Sequence, residues 1–287
     1  MKLTVSRTQT VEEFLATARA FLARREAEHN LLFGICSTLQ KTPEIFEKPP
    51  RFAVVTDGRG AVRAAALQTP PWNLVLSMID DEAVTDALAA ALRDDQLPGV
   101  LGPKEAAARF AARWSAAKGL RARLEVAERI FRLDRVKAPR RPAKGSWRIA
   151  DERDRRVIAD WLVAFQAEAV PNSPPFADPD AVAGRWIEQV VRIGYVWEDE
   201  GEVVSLVGAG GETPNGIRIG PVYTPPEKRG RGYASSLTAA ASQDQLDRGR
   251  RFVFLFTDLS NPTSNKIYQA IGYKPVCDFD QYIFVDT

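Results

Sequence analysis

Residues 227–237 read EKRGRGYASSL, so Lys228, Arg229 and Arg231 alternate with Gly230 and Gly232 just ahead of a helix-forming run. A strand, a glycine turn and a helix start can do one kind of chemistry well. The first amides of a helix have no intrahelical acceptor and carry the positive end of its dipole. Glycines let a ligand approach the backbone, and the three cations add full charges. Together these features make a seat for a pyrophosphate. The stretch is neither Gly-x-x-x-x-Gly-Lys-Ser/Thr nor Gly-x-Gly-x-x-Gly. Taken alone, it fits a solvated basic turn equally well.

Few other residues could carry chemistry. His29 is the single histidine, which excludes a multi-histidine metal site, and no Gly-x-Ser-x-Gly elbow serves it as a nucleophile partner. Its plain role is a side chain at a helix end. Cys36 and Cys277 are far apart and not in CxxC spacing, as expected of reduced thiols, and no metal is expected. Asn261, Asn265 and Tyr268 fall on one helical stripe.

The elements that must position these residues come from a chain of 287 residues, 45% hydrophobic and 26% charged, an ordinary globular composition long enough for two domains. The net charge of +2 is too balanced for general nucleic-acid binding. The first ten residues lack the apolar core of a signal peptide, and no apolar run approaches a membrane span, so a cytoplasmic protein is expected. Asp134 to Trp147 is rich in Pro, Arg and Lys and reads as a linker. The expected division is 1–137, a linker at 138–146, and 147–287.

The second part reads as a strand at SWRIA, helices over 151–167 and 179–192, a hairpin around Glu200-Gly201, a strand at GIRIGPVYT and a helix to about Asp247. RFVFLFTD follows as a strand buried on both faces. Asn261-Pro262 opens a helix that Gly272 closes. YKPVCDF and YIFVD are two final strands. Gly220-Pro221 lies inside GIRIGPVYT, where proline removes a ladder donor and marks a bulge or a place where strands part. The first part repeats the order: KLTVS, helices over 11–26 and 31–39, strands RFAVVTD, AVRAAALQT and WNLVLSM, a helix over 82–92, PGVLG, a helix over 103–118, then ARLEVA and IFRLDRV as two strands.

Arg229-x-x-Gly232-x-Ala234 resembles the Arg/Gln-x-x-Gly-x-Gly/Ala signature of the GNAT superfamily of N-acetyltransferases. Downstream, NPTSNKIYQAIGY is similar to that family's Asn-x(6)-Tyr-x-x-x-Gly-Phe/Tyr segment, with Asn261, Tyr268, Gly272 and Tyr273 in register. The resemblance in element order covers about residues 146–287. It implies an α/β fold of mixed class: two tandem GNAT-like domains, each a mixed, mostly antiparallel sheet with a splayed parallel pair at strands 4 and 5 and helices on both faces. It implies acetyl-CoA as co-substrate, its pyrophosphate on the amides of Arg229, Gly230, Arg231, Gly232, Tyr233 and Ala234, with Ser235 adding a hydroxyl. The pantetheine arm would run along Val222, Tyr223 and Thr224 in the wedge between the diverging strands. Asn261, Asn265 and Lys266 would touch the cofactor, though Asn261 also suits a helix cap and Lys266 a solvated surface. When an amine attacks the thioester a thiolate must leave, and Tyr268 would protonate it as general acid, since a phenol keeps its proton at neutral pH. The Val222 N–H would hold the developing oxyanion. Glu168, Glu202 and Glu227 are candidates for a general base, with water as the alternative relay.

At the equivalent turn the first part reads SMIDDEAVTDAL, with Asp80, Asp81 and Glu82 in place of the basic glycines. Acids suit a helix start but repel a pyrophosphate. No tyrosine follows PGVLG, only Phe110 and Trp114. A degenerate domain without a coenzyme A site is therefore expected, walling an acceptor cleft that the loop from Val170 to Asp180 faces. Trp72 fits burial in the core or a place at that cleft. The acceptor is expected to be a small-molecule or peptide amine, and the chain a monomer or homodimer with no nucleic-acid or membrane partner. Three other readings stand beside the enzyme: a coenzyme A binding or sensing module without turnover, an aminoacyl-tRNA-dependent transferase, which would need a more cationic surface, and an RNA contact at the Arg-Gly turn, which lacks interleaved aromatics.

Overall fold

A computed structural model describes residues 2–286. In chain order it contains β1 (Leu3–Thr8), α1 (Val11–Ala23), α2 (Asn30–Lys41), β2 (Arg51–Asp57), β3 (Val62–Gln68), β4 (Leu74–Leu76), α3 (Glu82–Ala91), β5 (Gly99–Pro103), α4 (Lys104–Lys118) and β6 (Arg121–Leu133). Then come β7 (Ser146–Ile149), α5 (Arg155–Ala169), α6 (Pro179–Ile187), β8 (Arg192–Asp199), β9 (Glu202–Gly210), β10 (Gly216–Tyr223), α7 (Tyr233–Asp247), β11 (Phe252–Asp258), α8 (Pro262–Ala270) and β12 (Lys274–Val285). No described helix is long and apolar enough to cross a membrane.

The chain forms two compact units, and they are not contiguous in sequence. Unit 1 takes the residues through Ile130, Thr257–Ser260 and those from Pro275 on; unit 2 takes Phe131–Phe256 and Asn261–Lys274. The last strand of the chain thus serves unit 1, where Phe279–Ile283 of β12 pairs antiparallel with β5. A simple cut at the linker does not describe this arrangement.

In unit 1 the strands run β1-β2-β3-β4-β5-β12, antiparallel except for a short parallel pairing of Leu74–Val75 with Val100–Leu101. Phe110 and Trp114 of α4 are buried in its core with Val84 and Leu88 of α3. In unit 2 the order is β11-β10-β9-β8-β7, to which β6 contributes only its end from Phe131 on, with β10 and β11 parallel and β7 to β10 antiparallel. Side chains of a strand alternate between faces. Tyr195, Val207 and Ile217 accordingly meet Leu237 of α7 on one face, while Val196 and Leu206 meet Ile158, Leu162 and Trp186 of α5 and α6 on the other. The β8–β9 turn has Glu200 at φ 53° and Gly201 at φ 80°, the left-handed pair that a two-residue hairpin of matching twist requires.

Three expectations need correction. ARLEVA and IFRLDRV form one strand, β6, and YKPVCDF and YIFVD form one strand, β12. Polar residues interrupt the apolar pattern in both, yet neither interior contains a turn-forming glycine, and the charges find partners across strands, as Arg129 Nε does at 2.6 Å from Asp278. The helix expected over 179–192 ends at Ile187; Gln189 adopts φ 58° and the chain turns out of the helix into β8, so Arg192 is a strand residue. Trp72, given a place in the core or at a cleft, is 43% exposed in unit 1.

Candidate active site

The site is built where β10 leaves its parallel neighbour. Gly216, Ile217 and Arg218 pair with Phe252, Val253 and Phe254, and no pairing follows, although both strands continue. On its other edge β10 stays bonded to β9, but Ile219 opposes Ala209 while Val222 opposes Val207. Three steps on β10 match two on β9, so one extra residue is accommodated in a bulge. Gly220 at φ 139° and Pro221 occupy it, one supplying a conformation that side chains resist and the other lacking a ladder donor. The edge of Ile219 to Tyr223 that faces β11 therefore carries no strand among the described residues. This is the wedge that the resemblance implied.

Beyond the wedge the end of β10 is pinned. The Ser205 hydroxyl donates to Tyr223 O at 3.1 Å and lies 2.8 Å from Thr224 Oγ1. A single helical turn at Pro226–Lys228 leads to Gly230 at φ 80° and Gly232 at φ 86°, and α7 starts at Tyr233. Two left-handed glycines flanking Arg231 give the alternation that lets successive amides converge on an anion. Gly232 is the N-cap and has no side chain to occupy the helix start. The amides of Gly230 to Ser235 have no acceptor among the described residues; the first bonded amide in α7 is Ser236, to Gly232 O at 3.0 Å. Ser235 Oγ donates back to Gly232 O at 2.9 Å, which directs its proton away from a ligand.

The cations of the turn are distributed otherwise than expected. Arg229 Nη2 pairs with Glu168 Oε2 at 2.6 Å, and its Nε donates to Thr224 O at 2.8 Å, with Tyr223's ring below the guanidinium. Lys228 Nζ pairs with Glu202 Oε2 at 2.5 Å. Arg229 and Lys228 thus staple the turn to α5 and β9, leaving Arg231, exposed beside the Tyr233 phenol, as the cation without an ion pair. Glu168 and Glu202 are both in ion pairs, and Glu168 also accepts from Tyr223 at 3.2 Å. Glu227 is exposed on the helical turn. None of the three stands as an unpaired base next to the wedge.

On α8, Asn261 caps the helix, its Oδ1 accepting from Ser264 N at 3.1 Å. Asn265 Nδ2 donates to Asn261 O at 2.8 Å, and Lys266 is exposed. Tyr268 is half-buried, its ring edge-on to Tyr273 at 6.1 Å, and its hydroxyl bonds to no described residue. The tyrosines at 195, 223, 233 and 273 all engage side chains: Asp244, Glu168, Asp199 and Ser242. Burial pushes the Tyr268 phenol up to about 12, so it is a neutral, uncommitted donor at physiological pH.

One contributor left no mark in the residue pattern. The linker, from Arg135 to Gly145, passes over both helices of the site. Lys137 N donates to Ile271 O at 2.8 Å, and Ala143 N to Ser236 Oγ at 3.0 Å. A Cβ on Gly232 would lie 3.1 Å from Arg141 O. No compositional signal distinguishes a docked strap from a loose linker.

The corresponding turn of unit 1 is closed by its own side chains. Asp81 N-caps α3 by accepting from Ala83 N at 2.9 Å. The Met78 amide donates to Nε2 of buried His29 at 2.9 Å, and His29 Nδ1 lies 2.9 Å from Leu22 O. A carboxylate holds the place an anion would take, and Trp114 Nε1 is committed to Leu92 O at 2.9 Å.

Residues 158–273 match the family model described as the acetyltransferase (GNAT) family. No curated protein matches the chain. Solved structures do, over nearly its full length and at low identity. A GCN5-related N-acetyltransferase from Sphaerobacter thermophilus is 18% identical with a TM-score of 0.58, covering 98% of this chain and 94% of that one. A GNAT-family acetyltransferase from Colwellia psychrerythraea is 10% identical with a TM-score of 0.57, covering all of both. A tandem GNAT protein from the clavulanic acid biosynthesis pathway is 14% identical with a TM-score of 0.59, covering 98% of each. At such identities the likeness is one of fold, shared with a protein that is itself tandem. Residues 158–273 thus form an acetyltransferase (GNAT) family domain, which lies almost wholly in unit 2.

Proposed function

We propose that unit 2 moves an acetyl group from acetyl-CoA to a primary amine by direct attack on the thioester. The observation that carries this reading is the coincidence of the open edge of β10, the row of unbonded amides at Gly230 to Ser235 and the uncommitted Tyr268 phenol. The donor set fits the group: amides for a pyrophosphate, an unpaired strand edge for an amide-bearing arm. Acetyl-CoA supplies the activated acyl carbon. The Val222 amide stabilises the carbonyl oxygen as it gains charge, and Tyr268 protonates the departing sulfur. Burial disfavours a bare thiolate as it disfavours a phenolate, as the buried Cys36 thiol, pushed up to about 12, illustrates in unit 1. The proton shed by the amine passes to water, since Glu168 and Glu202 are engaged in ion pairs.

In this reading unit 1 binds no coenzyme A, because Asp81 already satisfies the α3 terminus and repels phosphate. The test is thiol release from acetyl-CoA across a panel of amines, with wild type and Tyr268→Phe. The variant is expected to lose about 10²–10⁴-fold in kcat, the usual contribution of a general acid. Release by the variant at the wild-type rate, at its optimum pH, would remove Tyr268 from the mechanism. Binding of coenzyme A with no release for any amine would favour a binding module without turnover.

A further inference from the structure

Arg192 opens β8 opposite Gly210 of β9, and Gly210 in turn stands opposite Arg218 of β10. Residues directly opposite project from one face, so two arginines share a side of the sheet across a residue with no side chain. A Cβ on Gly210 would meet Arg192 Cγ at 2.5 Å; the arginine stem fills that space. Its Nη1 donates to the carbonyl of Gly220, the bulge residue, and the guanidinium lies 5.8 Å from the Trp186 ring. The Arg218 guanidinium lies 5.9 Å from the ring of Phe256, two residues past the last β11 residue that pairs with β10. Both cations therefore border the wedge.

Arg192 differs from three other half-buried arginines of unit 2. Arg148 meets Asp154 and Glu198, Arg155 meets Glu152, and Arg250 meets Glu212. No ion pair joins Arg192 to a carboxylate among the described residues; its one hydrogen bond is to a carbonyl. Burial first, and then the like charge of Arg218, bring its pKa down to about 9. A half-buried cation without a counter-charge is costly, and an apolar side chain of the same length would serve packing better. A guanidinium held there by its stem is suited to a planar anion.

We infer that the acceptor amine carries an anionic group, a carboxylate or phosphate, and that Arg192 holds it beside the bulge at Gly220. The inference rests on the acyl-transfer reading and names the class of its acceptor. Gly220 precedes Val222 by two residues, at most about 7 Å of chain, which is within the span of a small amino acid or aminoalkyl phosphate.

The experiment compares glycine, β-alanine and aminoethyl phosphate with glycinamide, β-alaninamide and ethanolamine, in wild type, Arg192→Met and Arg192→Lys. Thiol release is measured at saturating acetyl-CoA, and the thermal midpoint is measured with each acceptor and no thioester. Wild type is expected to favour one anionic series at least tenfold in kcat/KM, chiefly through KM; the carboxylate and phosphate arms identify the anion. Arg192→Met abolishes the preference while keeping or raising the thermal midpoint without acceptor, and Arg192→Lys retains part of it. Anionic acceptors raise the midpoint of wild type and not of Arg192→Met. Equal use of charged and uncharged acceptors by wild type overturns the inference. So does an undiminished preference in Arg192→Met, or a midpoint in that variant that falls with no change in preference, the mark of a structural arginine. If no acceptor releases thiol, the acyl-transfer reading fails, and the midpoints decide the anion site: stabilisation lost in Arg192→Met upholds it, and none in wild type overturns it.

Discussion

Alanine at Gly232 and at Gly230 should cost different amounts, and the difference measures how tightly the linker is held on the site. Both glycines are left-handed, at φ 86° and 80°. A side chain in that region costs about 1–2 kcal/mol, and reduced freedom of the unfolded chain returns about 0.4–1 kcal/mol. Gly230→Ala should therefore lose about 1 kcal/mol, since nothing lies within 4 Å of its new Cβ. At Gly232 the same atom meets Arg141 O at 3.1 Å, tighter than ordinary contact. The linker must then shift by a few tenths of an ångström, straining the bond from Ala143 N to Ser236. A further ~1 kcal/mol is expected, of the order of one net hydrogen bond. Urea unfolding followed by tryptophan fluorescence reads the two losses. A thermal scan should show Gly232→Ala about 2–4 °C below Gly230→Ala. Equal losses at the two positions would mean that the linker is not docked on the helix start, and the account of that contact would be wrong.

Other consequences follow from single groups. Desolvation lowers His29 from 6.5 to about 4, so the unfolded chain takes up its proton first as pH falls. Stability should be full above about pH 6.5 and fall by ~3 kcal/mol by pH 4, a slope that His29→Gln flattens in urea titrations; a wild-type curve flat over that window contradicts the buried neutral ring. Asp81→Ala removes the α3 cap and should cost ~1 kcal/mol, measured by the same unfolding, with thiol release unchanged. With Tyr268 pushed up to about 12, kcat/KM should show no basic limb below about pH 11 in wild type; a limb near pH 10 assigned to an enzyme group would place the phenol in water.

Much of this was legible because the motifs carry their own geometry. RFVFLFTD gave β11 but for its first residue, Arg251, and Glu200-Gly201 and Asn261-Pro262 gave a hairpin and a helix cap, with Gly201 in the left-handed conformation that glycine takes freely. Gly220-Pro221 gave the bulge for the same reason. What eluded the sequence depends on partners far along the chain. Whether Arg229 faces a phosphate or Glu168 is decided by where α5 ends, not by the turn's composition. The continuity of β12, and its service to unit 1, depend on the free edge of β5. Arg192, counted in a helix, became a half-buried strand residue when Gln189 turned left-handed two residues after the helix ended.

The central claim is that a dense anion docks on the bare amides at the start of α7 and nowhere in unit 1. Calorimetric titration of coenzyme A into wild type and Gly232→Glu tests it most directly. One site per chain in wild type is expected, with affinity at least tenfold weaker in the variant, about 1.4 kcal/mol. Two sites per chain, or equal affinity in the two proteins, would contradict it.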